Sequence, residues 1–141
     1  MKILDNNFCE IKFENQIFRV DIKDSYPNED EWGECKKALE NFYEAIRVKK
    51  INFTIMYDIT NMGMLQFNHI KELVSLLVKY RDLSEKYVIV SVIVVNNSIV
   101  KNVVNTTLAM YPSVRPVKFV TSMKEAKDII EEYTLKHNTS L

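Results

Sequence analysis

Histidine is the side chain that most often moves protons near neutral pH, and this sequence contains two histidines. His69 follows a short loop and should lie in the first turn of a helix, whereas His137 lies near the end of the chain. A histidine-dependent triad would have to use His69, but no Gly-x-Ser-x-Gly nucleophile elbow accompanies it. We therefore expect a surface or capping role for His69, no catalytic residue, and a protein that is not an enzyme.

The sequence also lacks the residue patterns typical of phosphate-binding and metal-binding sites. Dinucleotide and P-loop sites need several glycines so that backbone N–H groups can approach phosphate, and the chain has only Gly33 and Gly63. Cys9 and Cys35 are too few for a disulfide framework and too distant from other ligands to indicate a metal site. We expect two buried free thiols, no bound metal and no cofactor.

The loop after Asp58 is the most informative segment for predicting function. Asp58 and Thr60 suit a turn whose carboxylate accepts hydrogen bonds from loop N–H groups. Met62, Met64 and Phe67 are apolar side chains on a loop that should reach the surface, where flexible thioethers can adapt to a partner. The alternative is equally consistent with the sequence: Met64 and Phe67 would fold back and plug the end of the core.

The strands that must position these residues are indicated by apolar patterns. The segment from Tyr87 to Val95 is apolar at nearly every position, which predicts a strand buried on both faces of a parallel sheet. Phe8–Phe13 and Gln16–Ile22 alternate apolar and polar residues, as an antiparallel hairpin with one wet face does. Two further strands are predicted, at Ile51–Asp58 and at Pro116–Val120, the latter at a sheet edge.

Helices are predicted between and after these strands. The first begins at a capping box formed by Asn28 and Glu31, and a second capping box spans Ser122 to Glu125. The expected inward-facing residues, helix by helix, are Trp32, Cys35, Leu39, Phe42, Tyr43 and Ile46; then Ile70, Leu73, Val74, Leu77 and Tyr80 or Arg81; then Val100, Val103, Val104, Thr107, Leu108 and Tyr111; then Met123, Ala126, Ile130 and Tyr133.

The predicted fold class is α/β, with an N-terminal antiparallel hairpin, parallel β-α units after it, and helices flanking the mixed sheet. With 141 residues and 47% hydrophobic composition, the chain suits one domain, residues 1–141, whose residues 137–141 should form a frayed tail. Nineteen basic and nineteen acidic side chains cancel, which disfavours nucleic-acid binding. No stretch suits a signal peptide or an integral membrane segment, so we expect a cytoplasmic protein.

The element order resembles that of the STAS domain, the fold of bacterial anti-sigma-factor antagonists, and its lipid-binding CRAL-TRIO relatives. The resemblance covers roughly Phe8 to Tyr133, and its best local matches are Phe53-Thr-Ile-Met-Tyr-Asp58 and Pro116-Val-Lys-Phe-Val-Thr-Ser-Met-Lys-Glu-Ala126. In that family, the loop after the Asp-ended strand carries Asp-Ser-Ser-Gly, with a serine that a partner kinase phosphorylates. Here the loop reads Asn61-Met-Gly-Met-Leu-Gln-Phe-Asn68 and has no serine.

The resemblance implies a single STAS-like regulatory module that docks a protein partner, or a second copy of itself, through this loop and the second helix. The expected partner-binding residues are Asp58, Thr60, Met62, Gly63, Met64, Phe67 and His69. The alternative is a domain that binds a small molecule or lipid in a cavity between the sheet and the second and third predicted helices.

Overall fold

The computed structural model describes residues 1–63, 67–109 and 115–140, apart from the side chains of Phe67 and Ser140. Within these ranges the chain forms strands and helices in the following order: β1 (Lys2–Asp5), β2 (Cys9–Glu14), β3 (Ile17–Ile22), α1 (Glu29–Lys49), β4 (Phe53–Asp58), α2 (Phe67–Lys79), α3 (Arg81–Tyr87), β5 (Val88–Val94), α4 (Ser98–Ala109), β6 (Val117–Val120) and α5 (Met123–Ser140).

The strands form one mixed sheet in the order β1-β2-β3-β4-β5-β6. β1, β2 and β3 pair antiparallel, whereas β3 to β6 pair in parallel, so the predicted α/β fold with a hairpin followed by parallel units is confirmed. β6 lies at an edge, as Pro116 indicated. β1, a four-residue strand that extends the hairpin at the opposite edge, was not predicted from the sequence.

Helices cover both faces of the sheet. α1 to α4 pack on one face and form the larger apolar cluster, which includes Trp32, Phe42 and Tyr80. α5 packs on the other face through Ala126 and Ile130, and forms a smaller cluster with alternate residues of β5. β5 therefore contributes side chains to both clusters, as predicted for a strand covered on both sides, although it begins at Val88 because Tyr87 ends α3.

The ends of two helices bear on the sequence predictions. The capping box of α1 forms: Asn28 Oδ1 accepts from the N–H of Glu31 at 2.8 Å, and Glu31 Oε1 accepts from the N–H of Asn28 at 2.9 Å. At α5 only half of the box forms, because Glu125 Oε1 accepts from the Thr121 hydroxyl instead. α5 continues through residues 137–140, which the sequence assigned to a frayed tail.

Candidate functional site

The turn after β4 accounts for the polar residues of the predicted docking loop. Asp58 Oδ1 accepts hydrogen bonds from the Thr60 hydroxyl at 2.8 Å and from the Thr60 N–H at 3.2 Å. This closed turn is the structural role that the sequence suggested for Asp58. Both side chains are therefore bound to each other within the loop, and they shape the loop backbone.

The next part of the loop is fastened to the segment that precedes α1. The Gly63 N–H donates to the Ser25 carbonyl at 2.9 Å, and a Cβ at this position would lie only 3.0 Å from Tyr26 Cζ. A side chain here would therefore require the Tyr26 ring and the Ser25 carbonyl to shift by a few tenths of an ångström, which favours glycine. Met62 is half-buried and packs against the larger cluster, while the Tyr26 side chain is 62% exposed. Met64 lies outside the described residues, as does the side chain of Phe67, the first residue of α2.

His69 is buried, and the prediction of a surface or capping histidine is wrong. The residue is 5% exposed because the Trp32 ring of α1 covers it, with the ring centroids 4.7 Å apart. Neither imidazole nitrogen has a hydrogen-bond partner among the described residues. Glu29 Oε1 lies 3.8 Å from His69 Nε2, beyond hydrogen-bond distance. The sequence contained no sign of this burial, which results from the packing of α1 on α2.

A carboxylate beside this ring pair joins the two helices. Glu72 Oε2 of α2 accepts from the Trp32 indole N–H at 2.6 Å and from Lys36 Nζ at 2.7 Å. The hydrogen bond from Lys36, followed by that from Trp32, lowers the pKa of Glu72. Glu72 is therefore a structural link between α1 and α2, with both of its donors supplied by α1.

A mostly apolar site lies between the sheet and the helices α2, α3 and α4. It is a cavity of about 160 Å³. Fifteen of the described residues line it, and most of them are apolar. They are Tyr43, Ile55, Tyr57, Leu73, Leu77, Arg81, Ser84, Glu85, Val88, Ser91, Ile93, Val104, Leu108, Arg115 and Val117.

The cavity explains an error in the predicted apolar stripe of α2. Leu73 packs against the larger cluster as predicted, but it and Leu77 border this space and are only half-buried. Leu76, which the stripe omitted, is buried in the larger cluster instead. Position along a helix indicates which side chains face inward, but it does not show whether the space they face is filled.

Among the described lining residues, a minority carry polar side-chain groups. The Tyr57 hydroxyl has no hydrogen-bond partner among the described residues, and burial raises the pKa of this phenol, which keeps it protonated. Ser84 Oγ and the Tyr43 hydroxyl lie 3.4 Å apart. The charged groups are the side chains of Arg81, Glu85 and Arg115.

A ligand cavity in this region was the alternative predicted from the sequence, but no residue was assigned to it. Two signals were present in the sequence. Ser91 is the one polar residue within the apolar run of β5, and Tyr57 directly precedes Asp58 at the end of β4. Both side chains lie on the same face of the sheet as α2 and α4, where polar groups have few structural roles.

In the part of the chain that the structure describes, no group of three or more His, Cys, Asp or Glu side chains could hold a metal ion. Among the same residues, no helix combines the length and apolar character needed to cross a bilayer. Cys9 and Cys35 are both buried and reduced.

Comparison with known proteins does not assign the chain to a family. No protein-family model matches the sequence, and no curated protein matches it. The resemblance to the STAS domain therefore remains a hypothesis based on element order.

Proposed function

We propose that this chain is a STAS-like, non-enzymatic domain that binds a small, largely apolar molecule between its sheet and α2, α3 and α4. The observation that carries the proposal is the cavity of about 160 Å³, lined mostly by apolar side chains. Well-packed interiors contain few voids of this size, because each one forfeits the contacts of its lining. Binding sites for small molecules have this character: an apolar pocket with a few placed polar groups.

The order of the strands supports the STAS-like part of the proposal, since the hairpin is followed by parallel β-α units. The two reduced, buried thiols suit the reducing environment of the cytoplasm, where we propose that the domain acts.

Indole and benzene are suitable probes because an apolar cavity of about 150 Å³ is large enough to hold benzene. A ligand that binds only the folded state should raise the melting temperature. At a ligand concentration of one hundred times its Kd, the free energy of unfolding should increase by about 2.7 kcal/mol. Melting temperature measured against probe concentration should rise for the wild-type protein. Absence of any rise with either probe would contradict the proposal.

A matched pair of variants ties the effect to the cavity. Val104→Trp puts an indole ring into the cavity and should abolish the shift. Val78→Trp makes the same change at a position of α2 that is 54% exposed, so it should keep the shift. Equal shifts in both variants would mean that the probes bind elsewhere.

Docking of a protein partner through the loop after β4 and α2 is the second candidate function. The observation that favours it is Tyr26, which lies against Gly63 of that loop with most of its ring exposed. Exposed aromatic side chains are common anchors at protein interfaces. On this hypothesis Asp58 and Thr60 shape the loop, while Tyr26 and Val78 contact the partner.

The docking hypothesis can be tested with the protein used as bait in its native source, and with sedimentation equilibrium for self-association. Tyr26→Asp and Val78→Asp should abolish recovery of one stoichiometric partner without changing the melting temperature. Leu135→Asp, on α5 at the opposite face of the sheet, is the matched control and should retain recovery. If Tyr26→Asp and Val78→Asp both still recover the partner, this surface is not the docking site.

A further inference from the structure

The sheet wall of the cavity carries two hydroxyl groups, one on β4 and one on β5. Tyr57 of β4 and Ser91 of β5 both line the cavity. In the parallel register Ile55 pairs with Ser91, and Tyr57 lies two residues after Ile55 on the same strand. Because alternate residues of a strand share a face, the two hydroxyl-bearing side chains are diagonal neighbours on one face of the sheet.

Neither of these hydroxyl groups is used within the described part of the chain. No described residue forms a hydrogen bond with the side-chain hydroxyl of Tyr57 or of Ser91. The two other hydroxyl groups of the lining contact each other, since Ser84 Oγ donates to the Tyr43 hydroxyl at 3.4 Å. Hydroxyl groups set among apolar side chains usually find a partner in the protein, in water or in a ligand. Tyr57 and Ser91 are therefore the hydroxyl groups that a bound molecule can use.

The charged residues of the lining are bonded within the protein. Arg81 Nε donates to Glu85 Oε1 at 3.0 Å, and Arg115 Nε donates to the Glu85 main-chain carbonyl at 2.7 Å. Recognition through the sheet hydroxyls requires no charge on the ligand. An uncharged ligand also loses much less hydration than an ion when it enters a mostly apolar cavity. These contacts favour a neutral molecule.

Tyr57 is suited to donate a hydrogen bond. Burial raises the pKa of its phenol, so the hydroxyl carries its proton at neutral pH. A phenolic O–H is both a donor and an acceptor, and the hydroxyl of Ser91 has the same capacity. An uncharged hydroxyl or carbonyl oxygen is a matching acceptor.

The volume limits the apolar part of the ligand. A cavity of about 160 Å³ is close to the volume that holds one benzene ring, and is well below the roughly 300–1,000 Å³ of pockets for drug-sized ligands. A single aromatic ring or a short alkyl chain therefore fits.

Building on the proposed function, we infer that the cavity binds a small uncharged molecule with one oxygen acceptor, a hydroxyl or carbonyl group on a single ring or short chain. Its oxygen accepts a hydrogen bond from the Tyr57 hydroxyl, and the Ser91 hydroxyl provides a second hydrogen-bonding group on the same wall. The ring or short chain lies among Leu73, Ile93 and Val104.

Ethylbenzene and benzyl alcohol are nearly isosteric probes, and only benzyl alcohol carries an oxygen. Isothermal titration calorimetry at neutral pH should detect binding of both probes to the wild-type protein. Tyr57→Phe keeps the ring and removes the hydroxyl, so the ratio of benzyl alcohol affinity to ethylbenzene affinity should fall by about fivefold, the factor expected for one net hydrogen bond. The ethylbenzene affinity itself should be retained, which also shows that the variant is folded.

Tyr133→Phe is the matched control. It removes a tyrosine hydroxyl from α5, on the other face of the sheet, and should leave the ratio of the two affinities unchanged.

The outcomes separate this inference from the proposed function. If both probes bind but Tyr57→Phe leaves the ratio of affinities unchanged, the oxygen-acceptor inference is overturned while the apolar site stands. An equal fall of the ratio in Tyr133→Phe also overturns the inference. If neither probe binds the wild-type protein, both proposals fail.

Discussion

At the scale of single residues, His69 is deeply buried, and no described residue forms a hydrogen bond with its imidazole nitrogens. Its ring contacts Trp32, and both nitrogens lie among described residues that offer them no partner. A buried polar group without a partner loses its hydration and receives nothing in return, a cost of about 1–3 kcal/mol. His69 thus acts in this structure as an aromatic packing residue, and its polarity is a cost to stability.

Replacing the imidazole tests that interpretation. His69→Phe keeps a flat ring against Trp32 and removes both unpartnered nitrogens, so the free energy of unfolding should stay the same or rise by about 1 kcal/mol. His69→Ala, which leaves a void beside the indole, should lower it by about 2–4 kcal/mol. Urea unfolding followed by fluorescence measures both variants. A large loss of stability in His69→Phe would show that the imidazole makes a polar contact in solution.

At the scale of elements, Glu72 joins α2 to α1 through Trp32 and Lys36. Its folded-state pKa is lowered below the ordinary value of 4.5, so the carboxylate is more acidic in the folded than in the unfolded chain. Such a group stabilises the fold at pH values above its unfolded pKa. The contribution is lost as the pH falls through the lowered folded pKa.

The pH dependence of the stability of Glu72→Gln follows from the lowered pKa of Glu72. At neutral pH the variant should melt at a lower temperature than wild type, and the difference should shrink once the pH falls below 4.5 and through the folded pKa. Thermal melts across the acid range measure it. Glu132→Gln breaks an exposed pair within α5 alone, and should change stability little at neutral pH. A constant difference for Glu72→Gln at all pH values would mean that the charge of Glu72 is not involved.

The two faces of β5 should respond differently to a buried charge. Val92 is completely buried against α5, whereas Ile93 is 6% exposed and borders the cavity. Val92→Asp should abolish cooperative unfolding, since its carboxylate reaches neither water nor a partner. Ile93→Asp should be less damaging, because water can enter the space beside it. Circular dichroism melts compare them, and equal damage in both variants would argue against access of water to the cavity.

At the scale of the whole molecule, one sheet supports two apolar clusters. The larger lies under α1 to α4 and contains Trp32, the only tryptophan of the sequence, while the smaller lies under α5. β4 and β5 place side chains in both clusters. Loss of either cluster would therefore expose one face of the strands that also support the other cluster. This shared sheet favours a single cooperative unfolding transition.

Two probes test the cooperativity. Trp32 fluorescence reports the larger cluster, and far-ultraviolet circular dichroism reports all helices, including α5. The two urea transitions should coincide in midpoint and slope. An earlier transition in circular dichroism would show that α5 leaves the sheet independently, and that the two clusters are separate units of stability.

Local patterns by themselves determined most of the fold. The apolar run of β5, the stripe of α1 from Trp32 to Ile46 and the capping box of Asn28 and Glu31 depend on neighbours within a few residues, and all three were predicted. The strand alternation likewise indicated a hairpin followed by parallel units. These features can be predicted from residue spacing, because the period of a helix or strand determines which of its side chains share a face.

The tertiary structure alone decided the features on which function depends. β1 is four residues long and gains its stability by pairing with β2. His69 is buried because Trp32 comes from another helix, and Arg81 and Arg115 meet at Glu85 from 34 positions apart in the chain. The cavity exists because α2 and α4 do not fill the space above β4 and β5. Residue spacing indicates which way a side chain faces. A cavity depends instead on the distances between whole elements, and these distances are fixed only when the elements pack together.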